Sequence, residues 1–198
     1  PTSGLAALQA LGRIANLQPG QTVLVTGASG GVGSFAVQIA KTFGADVTAV
    51  CSTRNVEQAR ALGADHVIDY TQTDFTQSGQ QYDLIFAANG YHSLSAYKRA
   101  LTPGGVYVMA GGKTKQIFDA MLWGRWHSRG GDKQLTNVMA HASASDLLVL
   151  NDLIAAGKLK PVIDRRYPLS QTADALRYLG EGHARGKIVI DVVDSEQR

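Results

Sequence analysis

Glycines 27, 30 and 33 fall at a spacing of three within Gly27-Ala28-Ser29-Gly30-Gly31-Val32-Gly33. This cluster follows Thr22-Val23-Leu24-Val25-Thr26 and leads into Ser34 to Phe43. The first run is apolar and β-branched, which suits a buried strand. The last carries Phe35, Val37, Ile39, Ala40 and Phe43, which gives a helix one broad apolar face. A glycine triplet alone is a weak signal, because a tight turn with no ligand also uses it. Between a strand and a helix it allows the tight turn, close approach of backbone to a pyrophosphate, and close packing of helix on strand. The helix start beyond offers free N–H groups and the positive end of its dipole.

The same alternation continues. The pattern predicts strands at Asp46 to Val50, His66 to Tyr70, Tyr82 to Ala87 and Val106 to Met109, and a sixth at Leu135 to Met139. Helices are predicted at Gly4 to Ala15, Val56 to Leu62, Leu94 to Leu101 and Ser145 to Ala156, the last capped by Gly157. Phe118, Met121, Leu122, Trp123 and Trp126 suggest another. Strands alternating with helices are the mark of an α/β fold, a Rossmann-type doubly wound parallel sheet. The expected order is 3-2-1-4-5-6, with the glycine loop at the switch point. After residue 157 the style changes. Pro161 to Ile163, a helix from Ala173 to Leu179 and a strand from Lys187 to Val193 do not extend the alternation. The expected division is therefore 1–157 and 158–198.

Composition narrows the class. The chain has 198 residues, 44% of them hydrophobic and 18% charged, with net charge +3, so it has the makings of a full core and is not a disordered segment. Acids interleave with bases and no run of five like charges occurs, which argues against a nucleic-acid groove. No apolar run reaches membrane-span length, and no signal-peptide pattern opens the chain. A single cysteine, Cys51, excludes an internal disulfide framework or a multi-cysteine zinc site, and fits a small packing residue better than a redox thiol. A cytoplasmic protein is expected. The chain begins Pro1-Thr2-Ser3 without Met, so it reads as one part of a longer polypeptide.

An NAD site would place an acid about 20 residues past the loop, at the end of the second strand, to hold the ribose hydroxyls. Here stand Val50-Cys51-Ser52-Thr53-Arg54-Asn55. The nearest acid, Asp46, is at the wrong end of the strand. Ser52 and Arg54 occupy the place of a 2′-phosphate, and a guanidinium matches phosphate with a two-pronged fork. This favours NADP(H), although Arg54 also suits an exposed first-turn residue. A short-chain dehydrogenase needs Lys four residues after a Tyr on one helix face. None of the seven tyrosines has one.

The chain resembles the medium-chain dehydrogenase/reductase superfamily, in its zinc-independent NADPH:quinone oxidoreductase-like branch. The resemblance is carried, in order, by Gly4-Leu5-Ala6-Ala7-Leu8, Leu17-Gln18-Pro19-Gly20, the glycine loop, Ala61-Leu62-Gly63-Ala64-Asp65, Val67-Ile68-Asp69-Tyr70, Leu101-Thr102-Pro103-Gly104-Gly105 and Gly186-Lys187-Ile188-Val189-Ile190. It implies that Gly27, Ala28, Ser29, Gly30, Gly31 and Val32 hold the pyrophosphate and that Ser52 and Arg54 hold the 2′-phosphate. It places Tyr70 beside the adenosine end, where a plain strand-end aromatic is the rival reading. Asn89, Gly90, Gly111 and Gly112 would line the path to the nicotinamide. It implies that 158–198 belongs to an otherwise missing GroES-like barrel domain, and that a homodimer forms through the sixth strand. The implied activity is NADPH-dependent hydride transfer to a quinone or an α,β-unsaturated carbonyl. An enoyl-reductase module of a larger synthase and a non-catalytic nucleotide-binding regulatory module are the alternatives.

The five histidines, 66, 92, 127, 141 and 183, form no metal-ligand spacing, and His183 reads as a turn residue. Lys113, Lys115, Arg125, Arg129 and Lys133, interleaved with Trp123 and Trp126, suit a surface helix with a buried aromatic side better than a ligand contact. The sequence names no general acid or base.

Overall fold

The computed structural model describes residues 1–88, 92–111 and 132–192. Helix α1 (Thr2–Leu8) runs into a π-helical stretch, Gln9–Ile14. There follow β1 (Thr22–Thr26), α2 (Gly33–Thr42), β2 (Asp46–Cys51), a 3₁₀ turn (Thr53–Asn55), α3 (Val56–Ala61), β3 (His66–Asp69), a second 3₁₀ turn (Phe75–Gln77) and β4 (Tyr82–Ala87). Next come α4 (Leu94–Arg99), β5 (Leu101–Met109), β6 (Gln134–Asn137) and α5 (Ala144–Ala155). The chain closes with β7 (Ile163–Pro168), a 3₁₀ turn (Leu169–Gln171), α6 (Thr172–Gly180) and β8 (Lys187–Asp191).

Strands β1 to β6 form a parallel sheet of order β3-β2-β1-β4-β5-β6, as expected. The order reverses between β1 and β4, so the carboxyl ends of these strands open a crevice there. Both faces are covered, which is why the central strands read as unbroken apolar runs. Val23 and Val25 of β1 point to one core with Leu5, Leu11, Val37, Ile39 and Leu150. Leu24 between them points to the other, with Tyr82, Ile85, Tyr97 and Tyr107. All of these are nearly or fully buried.

Four sequence expectations shift. The first helix divides, because buried Gln9 is drawn to α5: its amide donates to the Asp146 carboxylate at 2.8 Å and to the His141 carbonyl at 3.0 Å. Arg13 from the π-helical stretch meets the same carboxylate. Helix α4 stops at Arg99, two residues early, because Leu101 is fully buried and opens β5. Strand β5 is longer than Val106 to Met109, since Tyr82 pairs with Leu101 and Leu84 already with Val106, leaving Pro103-Gly104-Gly105 to loop out. The sixth strand ends at Asn137, short of Met139, which is exposed.

Strands β7 and β8 form a separate two-stranded parallel sheet. Leu159 joins the main core, and Gln38 of α2 clasps Lys160 through both its N–H (2.8 Å) and its carbonyl (3.0 Å). Beyond that the segment buries little, and Leu169, Leu176 and Leu179 are exposed. Lys133 caps the Lys98 and Leu101 carbonyls, a structural use of one member of the basic-aromatic stretch. The rest of that stretch lies outside the described residues.

Candidate functional site

The crevice at the switch point is a cleft of about 670 Å³. Its floor is the glycine loop, and the end of β2 and the segment after β3 form its sides. Gly27 has φ +67°, a left-handed conformation that favours glycine. Gly33 is required for another reason: a Cβ there would lie 2.1 Å from the Gly27 carbonyl oxygen. Gly30 makes neither demand, since its Cβ would sit 3.4 Å from that oxygen. The N–H groups of Gly30 and Ser34 are spent within the turn, on Gly27 and Gly30. Those of Gly31, Val32 and Gly33 make no hydrogen bond among the described residues, so they stand free at the start of α2. Free N–H groups at a helix N-terminus attract an anion.

The cleft gathers Gly27, Ser29, Gly30, Gly31, Val32, Ser52, Arg54 and Tyr70 from the sequence expectation. Ala28 is not among its lining; the residue is fully buried in the core, and its N–H bonds the Val50 carbonyl at 3.2 Å. Gly111 is not in the lining either, although it stands close to Ala88, which is. Asn89, Gly90 and Gly112 lie outside the described residues.

Sequence reasoning missed a further wall. The turn after α6 brings Gly182, His183 and Ala184 to the cleft, more than 120 positions from β2. It is pinned there by two guanidiniums. Arg54 donates to the His183 carbonyl at 3.2 Å, and Arg185 donates to the Arg54 carbonyl at 3.1 Å. Asp164 accepts the Arg185 backbone N–H at 2.8 Å. Neither guanidinium forms an ion pair among the described residues. Lys187 arrives with the same segment. Its ammonium packs over Gly31, where a Cβ would lie 2.6 Å from Nζ, and it donates to the Ser3 hydroxyl. Burial holds its pKa below the ordinary lysine value.

Asn55, also missed, is almost wholly buried and lines the cleft. Its amide nitrogen donates to the hydroxyls of Ser29 (3.0 Å) and Ser52 (3.1 Å), bridging the glycine loop and the end of β2. Phe75, His92 and Tyr97 add an aromatic wall, with Phe75 edge-on to His92 at 4.9 Å between centroids. Asp74 is the single carboxylate among the described lining residues. The Thr76 N–H and hydroxyl hold its pKa low, with His92 at 3.8 Å adding to the effect.

This donor-rich cleft suits a phosphate-bearing nucleotide. A family model described as zinc-binding dehydrogenase matches residues 62–190. The chain belongs to that family, within the medium-chain dehydrogenase/reductase superfamily. It is 37% identical over 201 residues to the chloroplast envelope quinone oxidoreductase homolog of Arabidopsis thaliana, covering 96% of this chain and 60% of that protein. It is 36% identical over 175 residues to the NADPH-dependent alkenal/one oxidoreductase of the same plant, covering 86% and 40%. The quinone oxidoreductase from Coxiella burnetii matches with a TM-score of 0.84 at 30% identity, covering 98% and 59%. The chain thus spans about three-fifths or less of these relatives' length. The resemblance drawn from the motifs is borne out.

The family's description names zinc, and the described residues do not fit it. No group of three or more His, Cys, Asp or Glu among them is placed to hold a metal ion. The sole cysteine, Cys51, is buried, and burial, with the Asp69 charge behind it, pushes its thiol up to about 11. A cysteine binds zinc only as its thiolate. No helix among the described residues is long and apolar enough to cross a membrane. Two of these relatives carry chloroplast names, which lend the cytoplasmic expectation no support.

Proposed function

We propose that this chain is the cofactor-binding part of an NADPH-dependent reductase of quinones or α,β-unsaturated carbonyls. The observation that carries the cofactor choice is the end of β2, where Ser52 and Arg54 face the cleft and no acid stands among its lining residues from Val50 to Asn55. The free N–H groups of the glycine loop and the Lys187 ammonium suit the pyrophosphate. Ser52 and Arg54 suit the 2′-phosphate, with the Arg185 guanidinium beside them. When bound, NADPH supplies a hydride from its dihydronicotinamide, and a proton from solvent or a side chain completes reduction of the acceptor. This chain's residues bind and orient the cofactor. No zinc ligand is drawn from the described residues.

The names of the Arabidopsis and Coxiella relatives support this acceptor class. We assign 1–157 to the dinucleotide unit and 158–198 to a second unit that includes chain outside these residues. The exposed apolar residues beside the two-stranded β7–β8 sheet support that division, because two strands alone are marginal. We also propose a homodimer through β6, the last strand of the sheet among the described residues. A monomeric elution volume at micromolar concentration would sink that part. The activity is tested on the full-length protein with NADPH, NADH and a panel of quinones and enones. NADPH oxidation that depends on a quinone or enone supports the reading. Tight cofactor binding with no turnover of any acceptor favours the regulatory-module alternative.

A further inference from the structure

Asn55 bridges two hydroxyls that face one cleft. A serine hydroxyl is both donor and acceptor, and its neighbours decide which role it plays. An amide nitrogen only donates. Because the Asn55 Nδ2 donates to both Ser29 (3.0 Å) and Ser52 (3.1 Å), each oxygen acts as acceptor toward Asn55 and keeps its own proton for something else. Neither hydroxyl donates to any partner among the described residues. Both line the cleft. The Asn55 Oδ1 is buried without a hydrogen-bond partner among the described residues, a cost that native structures rarely carry without a use. The side chain is also fixed, since Asn55 is only 5% exposed.

We propose that Asn55 is a positioning residue that presets Ser29 and Ser52 as donors to the two phosphate-bearing ends of one dinucleotide. Ser29 faces the pyrophosphate with the glycine loop, and Ser52 faces the 2′-phosphate with Arg54. One buried amide thus orders both subsites before the ligand arrives, which lowers the ordering cost of binding. The inference rests on the NADPH reading.

The test is calorimetric titration of the purified protein with NADPH and NADH, across a mutant cycle. The set is Asn55→Ala, Asn55→Asp, Ser29→Ala, Ser52→Ala, the double serine variant, and that variant carrying Asn55→Ala. Ser29→Ala is expected to weaken both cofactors and Ser52→Ala mainly NADPH. Asn55→Ala is expected to weaken NADPH about tenfold and to cause no further loss in the double serine background. Asn55→Asp is expected to be worse than Asn55→Ala, because a carboxylate takes both hydroxyl protons and repels phosphate. Melting temperatures report folding independently. A loss from Asn55→Ala that persists undiminished without the serines overturns the proposal and makes Asn55 a packing residue. Tighter NADPH binding by Asn55→Asp overturns it as well. A folded wild type that binds neither cofactor overturns the dinucleotide reading itself, and this inference with it.

Discussion

Lys187 lies over Gly31: a Cβ on that glycine would stand 2.6 Å from the lysine Nζ. A residue late in the chain thus sets its charge on the glycine loop near its beginning. No carboxylate is paired with it among the described residues. Lys187→Met is expected to weaken NADPH and NADH alike, about tenfold. Burial lowers the pKa of this lysine, so the folded chain sheds the proton before the unfolded chain does. Cofactor affinity should therefore start to fall below the ordinary lysine range as pH rises. Stability from this group should rise between the folded pKa and the ordinary value of 10.5. A binding titration against pH that is the same for wild type and Lys187→Met would contradict this.

The three spaced glycines should not respond alike. Gly33→Ala puts a Cβ 2.1 Å from the Gly27 carbonyl oxygen, and backbone cannot yield that distance cheaply. Gly30→Ala meets the same oxygen at 3.4 Å, an ordinary contact. Gly33→Ala should abolish cofactor binding and lower the melting temperature, while Gly30→Ala leaves the melting temperature nearly unchanged. Thermal unfolding of the two variants checks it.

Much of the fold was legible because it rests on local signals. Buried parallel strands are short apolar runs, and glycine, proline and cap residues punctuate them. The strand order follows from right-handed crossovers and the position of the glycine loop. Half the site was legible as well: Ser52 and Arg54 stand just past β2, where a 2′-phosphate is expected, whereas Ser29 and Tyr70 entered through the family resemblance. The other half depends on distance in sequence. Nothing near Gly182-His183-Ala184 says that it will face β2, and Lys187 reads as the start of a strand. Asn55 carries no signal of its own in the sequence, because its contacts depend on two serines meeting across the cleft. The π-helical break at Gln9 was hidden similarly, since its cause is Asp146, 137 positions away.

Asp146 joins α5 to the first helix. It is buried, accepts from Gln9 and Arg13, and has its own N–H bonded by Ser143. The Gln9 hydrogen bond first, and Arg13 after it, hold its carboxyl below the usual range. A lowered folded pKa adds stability that is full above the unfolded value, near 3.9, and is lost as pH falls through the folded value. Asp146→Ala should cost about 2 kcal/mol at neutral pH. The gap from wild type should narrow toward pH 2 in denaturant titrations. A gap that stays constant with pH would refute the assignment.

The β7–β8 unit should exchange its amide hydrogens faster than the central sheet. Few of its residues are buried, whereas Val23, Leu24 and Val25 are fully so. Hydrogen exchange on the 198-residue chain is expected to show Arg165 to Tyr167 and Ile188 to Ile190 opening well before β1. Equal protection would contradict the division at residue 157.

The central claim is that the end of β2 selects the phosphorylated cofactor. The most direct measurement is the affinity of wild type and Arg54→Ala for NADPH and NADH, by titration at two salt concentrations. Wild type should bind NADPH more tightly, and Arg54→Ala should weaken NADPH about ten- to a hundredfold with NADH nearly unchanged. Raising the salt should narrow the gap, because an exposed charge contact is screened. Equal wild-type affinity for the two cofactors, or an equal loss of both in Arg54→Ala, would contradict the account.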